Sequence, residues 1–120
     1  MKIINVEWTD ESQYDASVTI SDDRYAVVCF SSPFSLDKQM SCVDKIYGFN
    51  VENIQRSDEE EPEIKKGVRF YEYSIKGRFE KKTSIVRVGE ILIDISDGVI
   101  PKDILDGEMI EFTVNRLDLY

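Results

Sequence analysis

Apolar residues recur at every second position along much of this chain, the period of a half-buried β-strand rather than of a helix. In INVEW, Ile4, Val6 and Trp8 share a face. In YDASVTI, Tyr14, Ala16, Val18 and Ile20 share one, with Asp15, Ser17 and Thr19 opposite. The polar SDDR at 21–24 then reads as a turn into RYAVVCFS, so the two segments predict a hairpin. The second arm is apolar on both faces, as a central strand is. IYGFNVENIQ alternates again, with Tyr47, Phe49 and Val51 on one side. In VRFYEYSIKGRF, Tyr71, Tyr73, Ile75 and Phe79 share a face, with Arg69 at the entrance of the strand. EKKT at 80–83 is a polar turn.

Two places break the alternation. In SIVRVGEILIDI, Val86 and Val88 are in one phase and Ile91, Ile93 and Ile95 in the other. One inserted residue does this, which predicts a β-bulge near Gly89 and Glu90. In EMIEFTVNRLDLY, Ile110, Phe112 and Val114 give way to Leu117 and Leu119, which predicts a bulge or face switch near Asn115 and Arg116. Helical signals are brief. Ser35 is placed to cap a short helix carrying Leu36, Met40 and Val43, and Pro101 to Gly107 spans one turn. The expectation is an all-β domain with one or two short helical turns. It would be a small antiparallel β-barrel or sandwich of about six to seven strands. An OB-like or SH3-like barrel fits the short turn that leads through DGEMIEF into a terminal strand.

The length of 120 residues argues for one domain over 1–120, and 42% hydrophobic residues suffice for a core. No apolar run has signal-peptide or membrane-span length, so a soluble, cytoplasmic protein with no membrane partner is expected. Cys29 lies in an apolar run and reads as a buried, reduced thiol; pairing with Cys42 is left open by the sequence.

Charge adds a second layer. The net charge is −9, with no histidine. Residues 1–63 hold 14 acids and 5 bases, residues 64–88 hold 2 and 8, and residues 89–120 hold 8 and 2. A basic block therefore sits between two acidic ones. The boundary is RSDEEEPEIKKG, which reads as an acidic-to-basic loop over 57–67. Its like charges repel and Pro62 opposes regular pairing, so a mobile, solvated loop is the simplest reading.

Histidine-based nucleophilic schemes and His-ligated metals are excluded, and two cysteines cannot complete a four-ligand zinc site. Neither GxxxxGK[ST] nor GxGxxG occurs, and no cofactor or metal is called for. The leading expectation is a non-enzymatic protein-binding module, of the physical type of an inhibitor or immunity protein that neutralises a basic toxin or nuclease. Its candidate surface is Asp58, Glu59, Glu60, Glu61 and Glu63, with Asp22, Asp23, Asp97, Asp103 and Asp106 in turns able to join it. The alternative is a single-stranded nucleic-acid binder using Lys65, Lys66, Arg69, Tyr71, Tyr73, Lys76, Arg78, Lys81, Lys82 and Arg87, beside Phe70 and Phe79. The acidic net charge disfavours it, and the alternation of Tyr71, Tyr73 and Phe79 with Glu72, Ser74 and Arg78 fits a core better. A third reading, an enzyme using paired carboxylates, rests only on the abundance of 24 acids.

Overall fold

Period-two patterning becomes strand almost throughout the computed structural model, which describes residues 1–35 and 43–120. The strands are β1 (Lys2–Asp10), β2 (Asp15–Ser21), β3 (Ala26–Ser31), β4 (Ile46–Phe49), β5 (Glu52–Arg56), β6 (Glu63–Lys66), β7 (Tyr73–Glu80), β8 (Ile85–Val88), β9 (Ile91–Asp94), β10 (Met109–Val114) and β11 (Arg116–Asp118). A 3-10 turn, Glu11–Gln13, lies between β1 and β2. The pairing order is β1-β2-β3-β11-β4-β9-β8-β7-β10-β5, with β6 added beside β7. The sheet is open: β1 and β5 stand at its two ends. Among the described residues no helix is long and apolar enough to cross a membrane.

The β2–β3 hairpin forms as its pattern predicts, with Val18 opposite Cys29 and Ile20 opposite Val27. These four and Ala16 are buried. Burial pushes the Cys29 thiol far up, with Asp118 adding to the effect, so it stays protonated. On β7, Tyr73, Ile75 and Phe79 turn inward while Ser74 and Arg78 face out. Gly77 lies between Ile75 and Phe79 because a Cβ there would come within 2.6 Å of Val86 Cγ1 and 2.8 Å of the Arg87 carbonyl. Val86, Val88, Ile91, Ile93, Ile110, Phe112 and Val114 complete this part of the core.

Several expectations change. Eleven strands replace six or seven among the described residues, because three segments read as single strands are broken and β6 forms inside the span read as a loop. IYGFNVENIQ splits at Asn50, which has φ 55, and Val51 turns into the core. Gly89 and Glu90 are a two-residue hairpin loop, not a bulge: Val88 pairs with Ile91, and Gly89 takes φ 61. That is the position at which a type II′ turn needs glycine. The phase change there was a reversal of the chain.

Pro101–Gly107 forms successive turns rather than a helical turn, closed by Ile104 N–H on the Pro101 carbonyl and Glu108 N–H on the Leu105 carbonyl. The helix expected after Ser35 falls on residues 36–42, outside the described residues. Two pairings, β3–β11 and β4–β9, are parallel, so the sheet is mixed. The break at Asn115 is present: β10 pairs with β7 and β5, while β11 pairs with β4 and β3. One bent strand thus serves two distant places in the sheet.

Candidate binding surface

Strand pairing puts β5, β10, β7 and β6 side by side, and their outward side chains meet in two rows. The register sets Gln55 opposite Glu111, Glu111 opposite Lys76, and Lys76 opposite Glu63. The next row runs through Thr113, Ser74 and Lys65, with Asn53 beside Thr113. Together they line an open groove of about 280 Å³. Its polar groups serve one another: Gln55 Nε2 donates to Glu111 Oε1 at 2.7 Å, and Asn53 Nδ2 to Thr113 Oγ1 at 3.3 Å. Lys76 Nζ lies 4.0 Å from Glu111 and 2.6 Å from Glu59.

The acidic run adjoins this groove: Glu63 lines it and Glu59 reaches Lys76. Residues 57–62 form a loop, but Glu63 already opens β6, so Glu63–Lys66 is paired strand and the expected loop ends earlier than residue 67. Pro62 stands just before the ladder, where its missing N–H costs no bond. The loop is tied at several points. Ser57 N–H donates to the Met109 carbonyl at 2.9 Å, Glu59 N–H to Ser57 Oγ at 3.2 Å, and Tyr25 O–H to the Pro62 carbonyl at 3.4 Å. Hydrogen bonding from Lys76 holds the Glu59 carboxyl below the usual range, and the same contact pushes Lys76 up. Glu63 pairs with Lys65 at 3.4 Å. Asp58, Glu60 and Glu61 remain exposed, with no hydrogen bond or ion pair from their side chains among the described residues.

The turn acids mostly have structural work. Asp22 accepts from Arg24, Tyr25 and Glu90 N–H; Asp97 accepts from Asn50 N–H; Asp106 accepts from Lys81 N–H. Asp103 and Glu108 hold Arg56, at 3.0 and 2.5 Å, so the base next to the acidic loop is already neutralised. Of the five, Asp23 alone has an exposed side chain with no such bond among the described residues.

The basic block is dispersed. Tyr73 is buried, and its hydroxyl accepts the Val28 N–H at 2.9 Å. Phe79 is core. Tyr71 is half-buried against Ser17, with the hydroxyls 2.5 Å apart. Arg78 donates to the Gly107 carbonyl and Arg87 pairs with Glu80 at 3.4 Å. Lys81 and Lys82 lie in an exposed turn, Lys66 ends β6, and Arg69 belongs to the turn after it. Besides Lys76, Lys65 and Arg87 thus have carboxylate partners.

Sequence reading missed Asn53, Gln55, Ser74, Glu111 and Thr113, because what joins them is register across four strands. Their only trace in the chain is their outward phase. Among the described residues, each carboxyl whose acidity clearly departs from its ordinary value (Asp10, Asp22, Glu59, Asp94 and Glu108) is shifted downward. Among the described residues no group of three or more His, Cys, Asp or Glu could hold a metal ion. No protein-family model, curated protein or solved structure matches this chain.

Proposed function

We propose that this chain is a non-enzymatic, cytoplasmic protein-binding module, an inhibitor or immunity-type protein that neutralises a basic partner such as a toxin or nuclease. The observation that carries the reading is the state of the acidic loop. Asp58, Glu60 and Glu61 are exposed and uncompensated on a segment tied at both ends. Carboxylates lacking a cation of their own attract a cationic surface, and the tied backbone that carries them loses little freedom on meeting it.

The nucleic-acid alternative has less support. Two of its aromatic residues are in the core, and several of its cations are paired with carboxylates. A carboxyl general acid would be held protonated near neutrality, and among the described residues the resolved carboxyl shifts give that role no support. The bend at Asn115 is the device by which small, partly open barrels pass one strand between two regions of sheet. It supports an OB-like or SH3-like kinship, on which the function does not depend.

The test is retention of basic proteins from the source cell on the immobilised chain, at low and at high ionic strength. A basic protein held at low salt and released at high salt is the expected result. Replacing Asp58, Glu60 and Glu61 with Ser should weaken retention at least tenfold, while Glu59→Gln should cost less because Lys76 already occupies that carboxylate. Retention unchanged in the triple variant would remove the loop from the interface.

A further inference from the structure

A second surface lies at the other end of β6, roughly 13 Å along the strand from the acidic loop. Here aromatic rings and cations form one continuous row. The Arg116 guanidinium sits 4.4 Å from the Phe49 ring centroid and 4.8 Å from that of Phe30. Phe30 meets Tyr71 at 5.9 Å, Tyr71 meets Phe70 at 4.9 Å, and Lys66 Nζ lies 5.7 Å from Phe70. The row crosses β4, β11, β3 and the turn that joins β6 to β7.

Three apolar side chains of this region face water: Val68 is 100% exposed, Phe70 59% and Phe49 48%. Laxity of the turn does not account for this. Gly67 N–H donates to the Glu72 carbonyl at 2.7 Å, Val68 N–H to Glu72 Oε1 at 3.1 Å, and Lys66 Nζ to the Arg69 carbonyl. A pinned turn therefore holds out a valine and a phenylalanine that contribute little to the core, which is a mark of an interaction site.

Charge selects the occupant. Asp118 neutralises Arg116 through two contacts, at 2.6 and 3.2 Å. Glu72 is turned onto the Val68 N–H. Lys66 and Arg69 have no acidic partner among the described residues and are exposed. Two free cations are few for a nucleic-acid strand, whose affinity rests on many phosphate contacts. The rings also meet edge to face, at 79° and 86°, rather than offering parallel faces to successive bases. We propose that this turn and ring row form a second docking surface, whose occupant is a protein segment presenting apolar side chains next to acidic ones. It is independent of the acidic loop.

The test uses three fluorescein-labelled probes in anisotropy titrations at low ionic strength: a short peptide alternating Glu and Leu, the same peptide with Ser for Leu, and an oligothymidylate of equal length. The Glu/Leu peptide should bind. The Glu/Ser peptide should bind at least tenfold more weakly. The double variant Val68→Ser, Phe70→Ser and the double variant Lys66→Glu, Arg69→Glu should each weaken the Glu/Leu peptide tenfold or more. If the first variant melts at a lower temperature than the parent, Arg69→Glu alone, which keeps the Lys66 contact to the Arg69 carbonyl, decides: it should still weaken the Glu/Leu peptide, and unchanged binding would overturn the proposal. Replacing Asp58, Glu60 and Glu61 with Ser should leave this binding intact, which separates it from the acidic-loop reading. Absent binding, or binding indifferent to both double variants, would overturn the proposal. Tighter binding of the oligothymidylate would assign the row to nucleic acid instead. A dimer in sedimentation velocity that Lys66→Glu, Arg69→Glu disperses would make a second copy the occupant and equally overturn it.

Discussion

Asp22 shows how much one side chain in a turn can do. Its carboxylate accepts the Arg24 and Tyr25 N–H groups at 3.0 and 2.7 Å, closing the β2–β3 hairpin, and the Glu90 N–H at 2.7 Å, tying the β8–β9 loop to it. A Cβ on Gly89 would come 2.5 Å from the same carboxylate, so a glycine is required on steric grounds as well as by its positive φ. Burial alone would push the Asp22 carboxyl up, but the N–H donors of Glu90, Tyr25 and Arg24 outweigh it and hold it below the usual carboxylate range. Asp22→Ala should therefore cost about 1.5 kcal/mol at neutral pH, measured by urea denaturation. A depressed folded pKa stabilises above the unfolded value, about 3.9, and that contribution fades as pH falls through the folded pKa. The gap between parent and variant should accordingly narrow on acidification below about pH 4. A gap that is constant with pH would mean the carboxylate charge is not what matters.

At the scale of elements, β7 is the strand on which the fold turns. It pairs with β10 on one side, and with β6 and β8 in succession on the other. Gly77 sits where the support passes from β6 to β8, below van der Waals distance for any added Cβ. Two of the contacts are the stiff, buried side chains of Val86 and Val88, and the third is the Arg87 backbone carbonyl, which cannot withdraw without loosening the β7–β8 ladder. Gly77→Ala should destabilise by about 2 kcal/mol in a denaturant titration. It should also disturb amide exchange at Arg87 and Val88 more than at Lys65 and Lys66. Equal protection at both places would argue that the sheet absorbs the methyl group elsewhere. The same strand explains why the acidic loop is more than a tether, since Lys76 of β7 holds Glu59 while Ser57 binds the end of β10.

For the molecule as a whole, the net charge of −9 and the isoelectric point near 4.5 set a further expectation. Ion pairs such as Lys65–Glu63 and Arg87–Glu80 are exposed and each contributes little. The surplus of like charge acts over the whole surface and opposes compactness. Raising sodium chloride from roughly 20 to 300 mM at neutral pH should therefore raise the melting temperature, because screening relieves more repulsion than attraction. A lower melting temperature would mean the ion pairs outweigh the net charge. The charge is also organised in space. Uncompensated acids on one loop, and Lys66 and Arg69 without acidic partners among the described residues, stand at opposite ends of β6, so one short strand separates two patches of opposite charge.

The alternation of side chains was enough to identify the all-β class, the β2–β3 hairpin, the inward face of β7 and the break at Asn115, because each is a local consequence of which positions can be buried. Partnership was not legible. The phase change at Gly89 marks a bulge or a reversal equally well until Val88 is seen paired with Ile91. The basic block looked like one surface in the chain, yet folding sets Lys76 against Glu59 and Glu111 from outside it, while Lys65 and Arg87 pair with the nearby Glu63 and with Glu80 of the block itself. The groove and the ring row join residues as distant as Phe49 and Arg116, or Asn53 and Thr113. Burial is a property of a residue and its near neighbours, and so the linear order carries it. Register and charge compensation depend on which strand lies alongside, and that is settled only when the chain closes its long-range contacts.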